Sequence, residues 1–179
     1  MRTAHGILMM TLLAVLPALC GCGVGPFDVT VTFDPSFRDS AGQVPSVEVH
    51  IFAANDTEKE VWNTMSMTNY WKPGSKERES AKDSVYVMKF GQGLPAEQVL
   101  KEEDPQWDRW LAKGPRTLFV MAYLPGVLDD RPGSADPRRL VLPMEKLKWK
   151  DYIWGRKYQQ IKVLVKPGGL VCLTPPERK

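Results

Sequence analysis

Apolar and polar positions alternate along much of the chain, which is the pattern of β-strands that are buried on one face. At positions 27–33 the odd-numbered side chains are Phe or Val, and the even-numbered ones are Asp or Thr. Positions 117–124 are apolar on both faces, which predicts a central strand that is covered on each side. The predicted strands are residues 27–33, 46–53, 84–90, 117–124, 138–142, 158–165 and 170–174.

Helix start and stop signals predict two short helical insertions between these strands. Asn55 and Asp56 offer an N-cap to a helix over residues 57–65. An Asp-Pro pair at 104–105 starts a second helix, and Gly114 ends it. The side chains of this second helix that are spaced to face the core are Trp107, Trp110 and Leu111.

About seven short strands joined by turns, without regular crossover helices, predict an antiparallel β-sandwich with Greek-key-like connections. We expect the charged residues 76–82 to form a solvated loop and residues 95–100 to form one or two turns of helix. No internal repeat or low-complexity segment interrupts the pattern. The sequence therefore predicts one sandwich domain over residues 27–179, with one or two short helical insertions.

The first 21 residues have the layout of a secretory signal. Arg2 makes the start basic, and residues 7–19 form an apolar run without charge. This run is too short to span a bilayer as a helix. We therefore expect residues 1–21 to be removed on export, which leaves 158 of the 179 residues.

The residues that end this leader resemble a bacterial lipobox, in which a cysteine is acylated and the chain is cut just before it. Cys22 fits the motif better than Cys20, because Cys20 follows a leucine rather than a small residue. Residues 22–26 then form a lipidated cysteine and a short tether. Gly23 follows Cys22 where Asp would signal retention in the inner membrane, so we expect an outer-membrane address. The alternative is an ordinary signal peptide with two incidental cysteines.

Charge gives no sign of a nucleic-acid partner. The chain has a formal net charge of +3, and its basic residues are scattered among acidic ones. Residues 129–139 are denser in charge, with three aspartates and three arginines. Carboxylates at this density can bind calcium, but the spacing does not match an EF-hand loop. Local ion pairs in a solvated turn are the favoured interpretation.

Catalytic groups are sparse. His50 is the only histidine beyond the leader, so a paired-histidine metal site cannot be assembled, and no motif singles out a Ser-His-Asp triad. We expect His50 to be exposed on the polar face of its strand, and Cys172 to be a buried small hydrophobe within an apolar run. The prediction is a protein that is not an enzyme and needs no cofactor or metal. A hydrolase that uses paired carboxylates stays open as an alternative.

All six tryptophans lie beyond the leader. Several aromatic side chains stand in loop-like segments beside lysines, where they suit contact with a partner or a membrane interface. The alternative is that they cover the open ends of the sandwich. The candidate aromatic contacts are Tyr70, Trp71, Trp149, Tyr152 and Trp154.

The front half of the chain resembles the outer-membrane lipoprotein of the type VI secretion membrane complex. The lipobox is followed by a Val29-Thr30-Val31 strand, a loop from Asp34 to Pro45, and the strand Val-Glu-Val-His-Ile-Phe over residues 47–52. Residues 118–123 and 138–142 resemble the back half of that family. The resemblance implies a transthyretin-like sandwich with added helices and no enzymatic activity.

The same resemblance implies a role in which the lipoprotein holds the periplasmic part of an inner-membrane partner at the outer membrane. Cys22 is carried over as the lipid anchor. The loop after the first strand lies where the family contacts its partner, and its candidate contact residues are Asp34, Phe37, Arg38, Asp39 and Gln43.

The leading hypothesis is an interaction module of the cell envelope, anchored in membrane lipid through acylated Cys22 and facing the periplasm from the outer membrane. Its partner is another envelope protein. The alternative is a periplasm-facing lipoprotein that binds a small ligand or a glycan, with the exposed aromatics as stacking platforms.

Overall fold

Two four-stranded sheets packed face to face form the body of the protein, as the alternating pattern predicts. The computed structural model describes residues 24–38, 41–127, 129–144 and 160–174. The strands in these ranges are β1 Val29–Phe33, β2 Val47–Ala54, β3 Tyr86–Phe90, β4 Glu97–Leu100, β5 Thr117–Ala122, β6 Arg139–Pro143, β7 Ile161–Lys166 and β8 Gly169–Cys172.

One strand pair departs from the antiparallel arrangement. The first sheet has the order β4-β1-β7-β8, and the second has the order β3-β2-β5-β6. β1 runs parallel to β7, with Val29 opposite Ile161, whereas the other pairs are antiparallel. The expectation of a purely antiparallel sandwich is wrong at this pair, because the chain enters β7 from the same end of the sheet at which it enters β1.

The strand registers define two ends of the sandwich. We call the end where β1 and β7 begin the tether end, because residues 24–28 enter the domain there. We call the opposite end the loop end, because β1 finishes there and β4 begins there. The connections at the loop end are residues 34–46, 91–96, 123–138 and 167–168.

The core lies between the two sheets and follows the alternation of the sequence. Val29 and Val31 of β1 face Val49 and Ile51 of β2 across a fully buried interior. β5 is buried along its whole length, as predicted for a central strand, because it lies between β2 and β6 and is covered on both faces.

In the part of the chain that the structure describes, four short α-helices stand where one or two insertions were expected: α1 Asp56–Thr64, α2 Met67–Trp71, α3 Lys76–Ala81 and α4 Gln106–Leu111. Asn55 caps α1 as predicted, in a capping box with Glu58. The solvated loop expected over 76–82 is wrong, because the Ser75 side chain accepts from the N–H of Arg78 and starts α3. Within the described ranges, no helix has the length and apolarity needed to cross a bilayer.

Within the stretch 95–100, where one or two turns of helix were expected, residues Glu97–Leu100 form a strand. β4 pairs with β1, and Leu100 lies opposite Val29. A four-residue segment is too short to show a helical period, and the open edge of β1 supplies hydrogen-bond partners that an isolated turn of helix lacks.

α1 and α2 cover the outer face of the second sheet. Phe52 stacks against Trp62 of α1 at 4.1 Å and against Phe119 of β5 at 5.0 Å between ring centroids. The outer faces of β2 and β5 therefore lie beneath a third layer, which hides side chains that alternation alone would place in solvent.

Candidate functional site

The N-terminal segment is fastened to the domain as soon as it enters it. The Phe27 ring is buried and lies 4.7 Å from the Trp107 ring of α4 between centroids. The indole N–H of Trp107 donates to the Lys101 carbonyl at 3.1 Å, which holds α4 in place. The candidate lipid anchor, Cys22, lies outside the described residues.

The β1–β2 loop leaves the sandwich at the loop end, and part of it is anchored rather than free. Phe37 is buried and stacks on Phe33, with ring centroids 5.2 Å apart. Asp34 accepts from the Ser36 N–H at 2.8 Å, and hydrogen bonds from Ser36 lower the pKa of Asp34. Arg38 is exposed, and Asp39 lies outside the described residues. The Phe37 side chain therefore anchors the loop to the sandwich and is not available to contact a partner.

A cleft of about 220 Å³ separates this loop from the β3–β4 connection. Its floor is apolar, and the exposed residues Arg38 and Gln43 belong to the outer part of the same loop. The residues that line the cleft include Phe33, Pro35, Arg38, Val44, Phe90 and Leu94. Among the described candidate loop contacts, Arg38 and Gln43 are exposed, Asp34 is half-buried and Phe37 is buried.

The charge-dense segment after β5 forms the local ion pairs that were expected, but Asp136, Arg138 and Arg139 are buried rather than solvated. Arg138 is 3% exposed and donates to both carboxylate oxygens of Asp136, at 2.9 and 2.8 Å, and the Asp136 side chain has no exposed surface. The expectation of solvent exposure is wrong for this pair, because each charge compensates the other and this makes burial of both tolerable. Burial raises the pKa of Asp136, but the hydrogen bonds from Arg138 prevail and lower it.

The same arginine joins this segment to α2. Arg138 donates to Asp130 at 2.6 Å and to the Thr68 hydroxyl at 3.1 Å. Asp130 also accepts from the backbone N–H of Thr68 at 2.8 Å and from the Ser66 hydroxyl. Partial burial raises the pKa of Asp130, but these donors lower it to about 2. We call Asp130, Asp136 and Arg138 the ionic clamp.

Arg139 is buried beside the clamp and is satisfied by carbonyl groups. It donates to the carbonyls of Trp62 and Met65, where α1 ends, at 2.6 and 3.0 Å. It also donates to the carbonyls of Arg131 and Gly133. A cation at this position satisfies carbonyls that the end of the helix leaves without intrahelical donors.

His50 lies beneath α2 and is 3% exposed, so the expectation of an exposed strand residue is wrong. Its Nδ1 atom lies 2.7 Å from the Tyr70 hydroxyl, and its Nε2 atom lies 2.5 Å from a carboxylate oxygen of Glu48. A neutral imidazole that accepts from Tyr70 and donates to Glu48 satisfies both contacts. Burial lowers the pKa of His50, and the hydrogen bond that His50 donates to the Glu48 carboxylate opposes that shift only in part.

The aromatic pair Tyr70 and Trp71 lies in α2 and is buried, so its expected position in an exposed loop is wrong. Their rings pack against the His50 ring at 5.7 and 4.8 Å between centroids. The alternative, in which these aromatics cover part of the sandwich, matches what the structure shows. The other three candidate aromatic contacts, Trp149, Tyr152 and Trp154, lie outside the described residues.

The two candidate reactive groups that the sequence offers beyond the leader, His50 and Cys172, are buried and half-buried respectively. Glu48, His50 and Tyr70 form a hydrogen-bonded row, but the Tyr70 side chain is completely buried. Cys172 is half-buried, and its thiol lies 3.6 Å from the Thr174 carbonyl. The described residues contain no group of three or more His, Cys, Asp or Glu side chains placed to hold a metal ion.

The sequence matches no protein-family model and no curated protein. Its fold, however, is similar to those of solved structures. The C-terminal domain (869–1107) of the type VI secretion protein TssM from EAEC has a TM-score of 0.55 and 13% identity, over 82% of this chain and 99% of that one.

Two further similar structures are lipoproteins or membrane-bound components of the same secretion system. Serratia marcescens Lip, a membrane-bound component of the type VI secretion system, has a TM-score of 0.51 and 9% identity, over 86% of this chain and 99% of that one. The lipoprotein TssJ1 from Pseudomonas aeruginosa has a TM-score of 0.48 and 11% identity, over the same shares of the two chains. The sandwich with added helices is therefore a fold that components of type VI secretion systems share.

Proposed function

We propose that this protein is a lipid-anchored structural component of a type VI secretion envelope complex, and that it is not an enzyme. The observation that carries the proposal is the likeness of its whole fold to Serratia marcescens Lip, together with a lipobox cysteine just ahead of the first strand. The fold alone does not specify a role, so the lipobox is the second, independent support.

The distance between anchor and domain is short. Five peptide steps separate Cys22 from Phe27, which is packed against Trp107. An extended chain spans at most about 3.6 Å per residue, so the domain stays within about 18 Å of the acylated cysteine. Two or three acyl chains on Cys22 give stable anchoring, whereas a single chain gives only marginal binding.

This anchoring orients the sandwich. The tether end, where β1 and β7 begin, faces the outer membrane, and the loop end faces the periplasm. Arg38 and Gln43 then project away from the bilayer, towards an envelope partner. We propose that this partner is the periplasmic part of the inner-membrane protein of the same complex. Tethering raises the effective concentration of the two proteins for each other near the membrane.

The structure gives less support to a glycan-binding function. Glycan recognition needs accessible aromatic faces, and Tyr70 and Trp71 are buried in α2. The described residues therefore do not offer these two stacking platforms.

Membrane fractionation tests the anchor. Cys22→Ala is expected to move the protein from the membrane fraction to the soluble periplasm without loss of the fold, because it removes the acylated thiol at a position that precedes the first strand. The matched control is Cys172→Ala, which removes a half-buried thiol and keeps the anchor. Unchanged membrane association of the Cys22→Ala protein contradicts the proposal.

A further inference from the structure

The two long sides of the sandwich are closed to different degrees. On one side the Leu170 N–H of β8 donates to the Pro137 carbonyl at 2.8 Å, which joins the two sheets through the main chain. On the other side β3 and β4 are the outermost strands of their sheets in the described residues. There the Gln98 side chain donates to the Lys89 carbonyl at 2.5 Å and bridges the sheets. The sheets are therefore linked by a side-chain hydrogen bond on this side and by a main-chain hydrogen bond on the other.

This contact shows which main-chain groups of β3 point away from β2. The Lys89 carbonyl points away from β2, since it accepts from Gln98 of the other sheet. Glu48 of β2 lies opposite Lys89, and its carbonyl accepts from the Tyr123 N–H on the side of β2 away from β3. Glu48 and Lys89 are therefore a cross-strand pair that does not exchange main-chain hydrogen bonds. Main-chain groups two residues apart point the same way, so the N–H and carbonyl of Val87 also face outward.

Apolar side chains flank these outward main-chain groups, among which the Lys89 carbonyl holds Gln98 until a partner strand replaces that side chain. Val87 is 41% exposed and Leu94 is 48% exposed, and both line one shallow groove of about 670 Å³ along the β3 edge. Pro95 and Gln98 form the far wall of the groove. Its dimensions and its row of donors and acceptors fit an extended main chain better than a compact ligand.

Charge indicates which extended segment fits. Lys89 is exposed, and among the described residues no carboxylate lies within ion-pair distance of its ammonium group. The nearest acid across the strand pair, Glu48, is bound to His50. An edge lysine opposes pairing with an identical strand in registers that bring two lysines together, and it favours an acidic neighbour.

We propose that the β3 edge receives an extended segment of the envelope partner, which adds a fifth strand to the second sheet. The segment places an apolar side chain beside Val87 and an acidic side chain beside Lys89. This inference rests on the proposed function, because it assigns to the same partner a contact distinct from the β1–β2 loop.

Hydrogen exchange and titration calorimetry with the purified periplasmic part of the inner-membrane component test the proposal on the mature protein. Binding is expected to slow exchange at the amides of Val87 and Lys89. Val87→Pro removes one outward N–H and is expected to weaken affinity about tenfold or more. The matched control Val87→Thr keeps the N–H and the β-branch, and is expected to stay within about threefold. Binding by the Arg38→Glu variant tests the contact of the β1–β2 loop separately.

The outcomes distinguish this inference from the proposed function. Binding that leaves both amides unchanged and does not discriminate Val87→Pro from Val87→Thr overturns the edge pairing and leaves the proposed function standing. If, without partner, hydrogen exchange at the Val87 amide slows as the concentration of this protein rises, the edge pairs with a second copy of the chain. That result also overturns pairing with the partner. Absence of any binding overturns both. If thermal melting shows that Val87→Pro is unfolded, exchange in the wild-type protein decides the question.

Discussion

The ionic clamp gives the sharpest test of how this domain is held together. Arg138→Met removes the guanidinium that compensates Asp136, whose side chain has no exposed surface. Breaking a buried pair in this way costs about 3–5 kcal/mol, because the remaining charge is left uncompensated. For a domain of this size, that corresponds to a fall in melting temperature of roughly 10 °C.

The sign of the pH dependence follows from Asp136. In the wild-type protein its pKa is lowered, so its contribution to stability is present above pH 4 and is lost as the pH falls below the unfolded value of 3.8. In Arg138→Met the guanidinium is lost and only the backbone N–H groups of residues 131 and 138 still oppose burial, so the pKa of Asp136 is higher than in the wild-type protein. The stability deficit of the variant is therefore largest near pH 7.5 and smaller at pH 4.5, where the carboxyl takes up a proton.

Urea denaturation at these two pH values measures the effect. The matched control is the double variant Arg138→Met/Asp136→Asn, which removes both charges and is expected to be more stable than Arg138→Met alone at pH 7.5. A deficit for Arg138→Met below about 1 kcal/mol, equal at both pH values, refutes this reasoning, because it describes a solvent-exposed ion pair.

Two further perturbations test the helical layer and the closed side of the sandwich. Because the pKa of His50 is lowered, the free energy of unfolding is expected to fall as the pH drops below 6.5, by at most about 1.4 kcal/mol per pH unit. His50→Gln is expected to flatten this pH dependence in urea denaturation. Equal slopes for the variant and the wild-type protein contradict the prediction. Gly169 has φ +151°, and a Cβ added there would lie 2.9 Å from the Pro137 Cβ. Gly169→Ala is therefore expected to lower the free energy of unfolding by about 1–3 kcal/mol, measured by thermal melting. Gly168→Ala is the matched control, because a Cβ at residue 168 meets nothing within 4 Å. Equal stability of the two alanine variants argues against the close approach of β8 to Pro137.

Much of the sandwich could be predicted, because strand alternation and helix caps are local signals. Asn55 caps α1, and β5 is central, as the sequence indicates. The parallel pairing of β1 with β7 could not be predicted, since register between strands more than 120 residues apart leaves no local trace. Ser66 and Ser75 cap α2 and α3, and these residues are the signal that could have revealed both helices.

The buried polar groups show a different limit of sequence reasoning. Alternation places His50 on the outer face of β2, but it does not report that α2 covers that face. Arg138 follows a segment dense in charge, yet one of its hydrogen-bond partners, Thr68, lies 70 residues earlier in the chain. Polarity in a local window therefore indicates which face a residue occupies, and only the tertiary structure shows whether that face is covered.

The lipid anchor is the premise of the orientation, the short reach and the partner contact proposed here. Intact-mass spectrometry of the mature protein extracted from membranes tests it most directly. The proposal predicts a chain that begins at Cys22 and carries two or three acyl chains on that residue. A mature chain with an unmodified N-terminus, recovered from the soluble periplasm, contradicts it.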